Sequence, residues 1–277
     1  MNAEKADERE RPLISIITPS FNQASYIEQT IRSVLDQTYP NVQHIVVDGG
    51  STDGTVDILK RYPHLIWISE KDRGQADALN KGLELATGAL VGWINSDDYY
   101  QRNIFVSVAE HFRSPSVQWV VGNLADVFDD GSLSAFRRSP EVSFDSLIRN
   151  PDIVRQQPTF FRRDALITAG GWNAELYMVM DFDLWLRLAK RAPPVMTNGN
   201  WAFYRTHAAQ KSGLRNILRQ ASEIAAVLDR EDIPRHLIAA HRHRKLWYWM
   251  KGLTKSRMID LGLIPQRYRT RPIRSPD

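Results

Sequence analysis

Along the first hundred residues, short apolar runs alternate with stretches whose apolar positions recur at helical spacing. Leu13-Ile-Ser-Ile-Ile-Thr18 is a run of the first kind, broken by Pro19-Ser-Phe-Asn22. Tyr26, Ile27, Ile31, Val34 and Leu35 then share one helical face, with Ser25 placed to cap it. The alternation repeats. Gln43-His-Ile-Val-Val-Asp48 predicts a strand, Gly49-Gly-Ser-Thr-Asp-Gly-Thr55 a turn, and the residues to Lys60 a short helix. Leu65-Ile-Trp-Ile-Ser69 predicts a third strand, Gln75 to Ala86 a helix closed by Gly88, and Ala89 to Ile94 a fourth strand. Strands and helices in this order imply a parallel sheet with right-handed crossovers, an α/β fold.

The second half is less regular. Trp119-Val-Val-Gly122 and Gln157-Pro-Thr-Phe-Phe161 predict strands, and Ser134 to Val142 suits a strand or a loop. Helices are expected near Arg163 to Ala169, from Asp181 to Lys190, from Asn216 to Leu228 and from Pro234 to Lys251, with the end from Arg267 frayed. The pattern divides the chain into a disordered start (1–12), a main domain (13–212) with halves at about 13–100 and 101–212, and a helical basic extension (213–277).

Composition narrows the chemistry. The 277 residues hold no cysteine, which excludes disulfides, thiolate zinc sites and a cysteine nucleophile. The start, Met1 to Arg11, is charged and carries no apolar core, and no run is long enough to span a bilayer, so a cytoplasmic location is expected. The net charge of +4 is unevenly placed. From Arg235 onward 11 Lys/Arg face 2 Asp/Glu, so this stretch carries +9 and the remainder −5. An acidic body suits a site that uses cations, and a basic tail suits a surface that meets anions.

The acids fall where strands end. Thr18-Pro19 with Asn22, then Asp48, Asp72, and Asn95 to Asp98 all close predicted strands, and open α/β sheets bind ligands at that edge. Adjacent carboxylates such as Asp97 and Asp98 are best tolerated around a divalent cation, although a solvated turn also accommodates them. Asp48 could accept the ring N–H of uracil, thymine or guanine, with Pro19 lining the base and Gly49-Gly50 allowing close backbone approach. The loop is neither a Walker loop nor Gly-x-Gly-x-x-Gly.

Taken in order, Thr18-Pro-Ser-Phe-Asn22, Asp48-Gly-Gly-Ser-Thr-Asp-Gly-Thr55, Asp72-Arg-Gly-Gln-Ala-Asp-Ala-Leu-Asn-Lys-Gly82, Asn95-Ser-Asp-Asp98, Gln157-Pro-Thr-Phe-Phe161 and Met180-Asp-Phe-Asp-Leu-Trp-Leu-Arg187 resemble the family 2 glycosyltransferases. The resemblance runs from about Leu13 to Ser212 and implies a GT-A fold and inverting transfer from a nucleotide-diphosphate sugar with Mn²⁺ or Mg²⁺. It places Thr18, Pro19, Phe21, Asn22, Asp48, Gly49, Ser51, Asp72, Arg73, Asn80, Asn95, Ser96, Asp97 and Gln157 at the donor. Asn95-Ser96-Asp97 stands where the family has Asp-x-Asp, so Asp97 becomes the main metal carboxylate, with Asp98 and His207 as further ligands. Asp181 stands at the catalytic base, while Asp183 reads as a helix N-terminal carboxylate favoured by the dipole.

Donors are expected to be UDP-sugars first. The acceptor is expected to be a saccharide or lipid-linked saccharide in bacterial surface polysaccharide or glycolipid synthesis. His241-Arg-His-Arg-Lys-Leu-Trp-Tyr-Trp-Met250 interleaves cations and aromatics, which fits a helix lying on an anionic membrane or one packed on the core or a partner subunit. No nucleic-acid motif accompanies the charge. Two other classes stay open on residues alone: a glycoside hydrolase built on paired carboxylates, and a non-catalytic nucleotide-sugar binder.

Overall fold

A computed structural model describes residues 11–207, 210–211 and 216–239, together with 241, 243, 246–247 and 250–251. The expected disordered start, the boundary at 212–213 and the frayed end fall largely or wholly outside these residues. The chain divides into two compact units, one of Met1–Ala125 with Phe136–Tyr204, the other of Asp126–Ala135 with Arg205–Asp277.

In the first unit the four expected strands form β1 (Ile14–Ser20), β2 (Val42–Asp48), β3 (Ile66–Ser69) and β4 (Leu90–Trp93). Between them lie α1 (Ile27–Leu35), α2 (Thr55–Leu59) and α3 (Gln75–Leu85). β1 pairs in parallel with β2 and β4, and β2 with β3. Every residue of β1 and β4 is buried, as continuous apolar runs require when helices cover both faces of a sheet. The N-cap of α1 is Tyr26 rather than Ser25, and no side chain caps it.

Beyond β4 the sheet turns antiparallel. β4 pairs with β7 (Thr159–Arg162), β7 with β6 (Trp119–Val127), and β8 (Val195–Arg205) with the short β5 (Tyr99–Tyr100). The order is β3-β2-β1-β4-β7-β6-β8-β5. Residues 134–142 form a loop that meets β6 where Ser134 bonds Asp126 and where Arg137 bridges Leu124. The remaining helices of this unit are α4 (Phe105–His111), α5 (Phe144–Arg149), α6 (Arg163–Thr168) and α7 (Met180–Ala189). Aromatic stacking seats α7: the Trp185 ring lies 5.4 Å from Trp119 and 5.6 Å from Phe161, nearly parallel to both.

The second unit contains α8 (Ile217–Arg230), and residues 235–239 and the described positions 241–251 continue as helix. There the Lys251 ammonium stands 3.8 Å from the centre of the Trp247 ring. Among the described residues no helix is long and apolar enough to cross a membrane.

Candidate active site

Register brings the carboxyl ends of three strands into one row, with Ser20 opposite Asp48 and Asp48 opposite Ser69. Asp48 is fully buried. Its Oδ2 accepts from the Gly50 and Ser51 amides at 3.1 and 2.8 Å and from the Ser69 hydroxyl at 2.7 Å, and its Oδ1 accepts from the Ser51 hydroxyl at 2.5 Å. These donors leave little of the carboxylate for a base. Asp48 thereby serves as the internal brace of its loop. Asp72 takes the outward position. It is partly exposed, and one oxygen accepts the Gly74 amide at 2.8 Å. Its Oδ2 lies only 2.8 Å from where a Cβ on Gly49 would stand. Gly49 therefore has no side chain because the Asp72 carboxylate fills that space.

Other expected donor residues also work inside the wall. The Thr18 hydroxyl is buried against the His44 ring at 3.0 Å, and burial lowers His44 to about 3, so the ring is neutral. Asn22 adopts a left-handed φ of 53°, receives the Thr52 amide at 3.0 Å and donates its own amide to Ser51 Oγ at 2.7 Å. This lock leaves Phe21 beside it 60% exposed. Pro19 is buried in β1. Arg73 is exposed and bonded to Asp77, and that bond holds the Asp77 carboxyl below its ordinary range.

The end of β4 is an amide network. Asn95 Oδ1 accepts from Gln75 Nε2 at 2.7 Å and from Trp93 Nε1 at 2.9 Å; its Nδ2 donates to Gln156 Oε1 at 3.2 Å and Asp98 Oδ2 at 3.4 Å. Gln156 also donates to the Trp93 carbonyl. Asp98 is 1% exposed and accepts Gln157 Nε2 at 2.8 Å, while Thr30 ties the Ser96 and Asp98 carbonyls to α1. Ser96 is buried as well, and Asp97 is the partly exposed carboxylate of this loop. Among the described residues no three His, Cys, Asp or Glu side chains cluster to hold a metal. The oxygen of Asp97 is the kind of hard donor that a divalent cation prefers.

Asp181 is partly exposed in the first turn of α7, where its Oδ1 accepts the Phe182 amide at 2.8 Å. Asp183 stands in the same first turn, as the dipole reading expects. It is fully buried and ion-paired with Arg187, accepting Nε at 3.0 Å and Nη2 at 2.7 Å. The amide of Asn80 is committed elsewhere than the donor: its Nδ2 donates to the Trp172 carbonyl at 2.7 Å and its Oδ1 accepts the Trp172 N–H at 2.9 Å. His207 belongs to the second unit, where it is buried and donates its backbone N–H to Gln210 at 3.0 Å. Sequence reasoning missed the work of Gln75, Thr30 and Arg187. Only the last left a signal, the i, i+4 spacing of Asp183 and Arg187.

A parallel half-sheet extended by antiparallel strands, with an Asp72–Asp97 edge and a carboxylate-headed helix, defines a GT-A fold. The chain belongs to glycosyl transferase family 2, which it matches over residues 15–169. It is similar to TuaG of Bacillus subtilis, named for teichuronic acid biosynthesis, at 37% identity over 50% of this chain and 58% of that protein. With Escherichia coli chondroitin synthase the identity is 27% over 69% of this chain, which spans 28% of that protein. The E. coli UDP-Glc:α-D-GlcNAc-diphosphoundecaprenol β-1,3-glucosyltransferase WfaP is 27% identical over 88% of this chain and 95% of its own length. The fold is shared with S. aureus TarS residues 1–349 in complex with UDP, at a TM-score of 0.61 and 17% identity over 93% and 77% of the two chains. It is also shared with a Pyrobaculum calidifontis mannosyltransferase in complex with GDP-Man and Mn²⁺, at 0.59 and 19% over 93% and 82%.

Proposed function

We propose that this enzyme transfers a hexose, with inversion, from a UDP-sugar to a hydroxyl of a lipid-diphosphate-linked saccharide during assembly of a bacterial surface polysaccharide. The observation that carries the reading is the Asp72 carboxylate laid over Gly49 at the sheet edge. An acceptor there suits the ring N–H of uracil and disfavours adenine, which presents no such donor on its ring. Phe21, held exposed beside the locked Asn22, supplies an aromatic face for the base. The similarity to WfaP, which extends over most of both chains, supports the lipid-linked acceptor.

Asp97, with Asp98 behind it, would hold Mn²⁺ or Mg²⁺ together with the donor diphosphate. When bound, the ion neutralises the charge of the leaving nucleotide. Asp181 at the head of α7 takes the proton from the acceptor hydroxyl as that oxygen attacks the anomeric carbon, and the C–O bond to the diphosphate breaks. Arg73, exposed next to Asp72 and paired with Asp77, is a counter-charge at the same edge.

The test is a panel of UDP, GDP, dTDP and CDP in thermal-shift assays with Mn²⁺, followed by transfer from UDP-glucose to a synthetic N-acetylglucosaminyl diphospholipid. UDP stabilisation and a new disaccharide lipid are expected. Stabilisation by CDP alone would overturn the base reading, and absence of glycolipid product would overturn the acceptor class.

A further inference from the structure

We propose that Arg187, held by Asp183, is a positioning residue that fixes the catalytic-base helix relative to the donor edge through the Gly170–Trp172 turn. The proposal rests on the reading of Asp181 as the base. Arg187 grips both sides of this junction. Within α7 its guanidinium pairs with buried Asp183; across the junction it donates to the Ala169 carbonyl and, at 2.8 Å, to the Gly171 carbonyl. The turn is then gripped from its other face by Asn80 of α3, which brackets the Trp172 backbone. The Trp172 ring meets Trp93 edge to face at 5.6 Å, and Trp93 Nε1 bonds Asn95. Gln75 at the start of α3 bonds Asn95 as well. A continuous chain of contacts therefore runs from the helix bearing Asp181 to the loop bearing Asp97.

Adhesion does not require this device. Trp185 already clamps α7 between Trp119 and Phe161, and a buried ion pair contributes little net stability once desolvation is counted. What a planar fork contacting two carbonyls and a carboxylate supplies is fixed direction. The turn is built for it. Gly170 and Gly171 hold φ of 86° and 65°, and a Cβ on Gly171 would stand 2.6 Å from Asn80 Oδ1. Misplacing a catalytic group by about 1 Å costs on the order of a hundredfold in rate.

Two variants attack the device from opposite sides. Arg187→Lys keeps the charge opposite Asp183 but loses the fork, and Gly171→Ala drives a methyl into the Asn80 clamp. Both are measured in the full chain with UDP-glucose and the N-acetylglucosaminyl diphospholipid, beside Asp181→Asn. Calorimetry should give one UDP site per chain at unchanged affinity, and slow UDP release without acceptor should persist. Transfer should fall about ten- to hundredfold, so the ratio of transfer to hydrolysis drops. Transfer and hydrolysis falling together, in step with lost UDP sites, would mark a merely structural role and overturn the proposal. Loss in Asp181→Asn with normal transfer in both other variants overturns the positioning device alone. Normal transfer in Asp181→Asn overturns the base reading and the device with it.

Discussion

The two halves of the sheet hold their functional residues by different means. In the parallel half, β3-β2-β1-β4, the site is made by strand ends: register alone lines up Ser20, Asp48 and Ser69, and short loops carry Asp72 and Asp97 to the same edge. In the antiparallel half, α7 is placed by ring stacking and by side chains that grip backbone carbonyls. The first arrangement is local and inherits its precision from the sheet. The second is assembled from residues distant in sequence, so its precision depends on a few clamps. Substitutions in the two halves should fail differently.

The largest effect is expected at the head of α7. Asp181→Asn removes proton acceptance while preserving shape, and transfer should fall about a hundredfold to ten-thousandfold with UDP affinity unchanged. Asp183→Asn, two residues on, is a stability lesion instead. It leaves the partly exposed Arg187 facing a neutral partner at the fully buried position 183, which costs on the order of 1.5–3 kcal/mol, the worth of a hydrogen bond to a charged group. A melting curve separates the two: Asp181→Asn should melt near wild type, and Asp183→Asn many degrees lower. Equal melting points would show that the Asp183 pair contributes nothing to α7.

At the strand edge the expected losses are in binding. Asp97→Asn should abolish Mn²⁺-dependent stabilisation by UDP, since Asp98 is already occupied by Gln157 and Asn95. Restoring the family's acidic pair with Asn95→Asp should not strengthen the site. The Asn95 amide donates to Gln156 and Asp98, and a carboxylate there would face two acceptors, a loss of about 1–3 kcal/mol in stability. A tighter Mn²⁺ response in Asn95→Asp would mean that the amide network rearranges freely and is not a brace.

These contrasts follow what could be read from the chain. Strands of the parallel half were legible because continuous apolar runs end in Gly, Asn and Asp, and the motif words named the right loops. Which acid of a loop faces outward was not legible. Asp48 and Asp72 are alike in sequence, and only the fold shows that one is spent on Gly50, Ser51 and Ser69 while the other leans over Gly49. The partner of Asn80 was not legible either: the Trp172 backbone lies 92 positions away. In the antiparallel half the Asp181 word was visible, but the stack that seats it joins Trp119, Phe161 and Trp185, whose aromatic character alone specifies no partner.

The Asp48–Asp72 distinction can be sharpened at Gly49. Gly49→Ala places a methyl 2.8 Å from Asp72 Oδ2, so the carboxylate must swing away while the brace around Asp48 stays intact. UDP affinity should fall roughly tenfold, about the worth of one displaced hydrogen bond to a charged acceptor. Folding should change little. If UDP binds Gly49→Ala as tightly as wild type but fails to bind Asp48→Asn in a fully folded protein, the base is read by Asp48 after all.

The smallest effect expected is a pH dependence beneath the parallel half. His44 is buried under Thr18 and is lowered to about 3, chiefly by desolvation and then by the charge of His64, against an ordinary value of 6.5. The unfolded chain therefore takes up a proton near pH 6.5 that the folded chain refuses until about pH 3. Stability from this group is complete above the unfolded value and declines as pH drops through that window. Between pH 7.5 and 5.5 the loss is about 1.4 kcal/mol, a few degrees in Tm. His64, lowered in the same direction by burial, adds to it. His44→Gln should remove most of this acid slope while leaving Asp181-dependent transfer at neutral pH in place. An unchanged slope in that variant would mean that the buried ring takes up its proton without opening the sheet, and that the parallel half is less rigid than its uninterrupted burial implies.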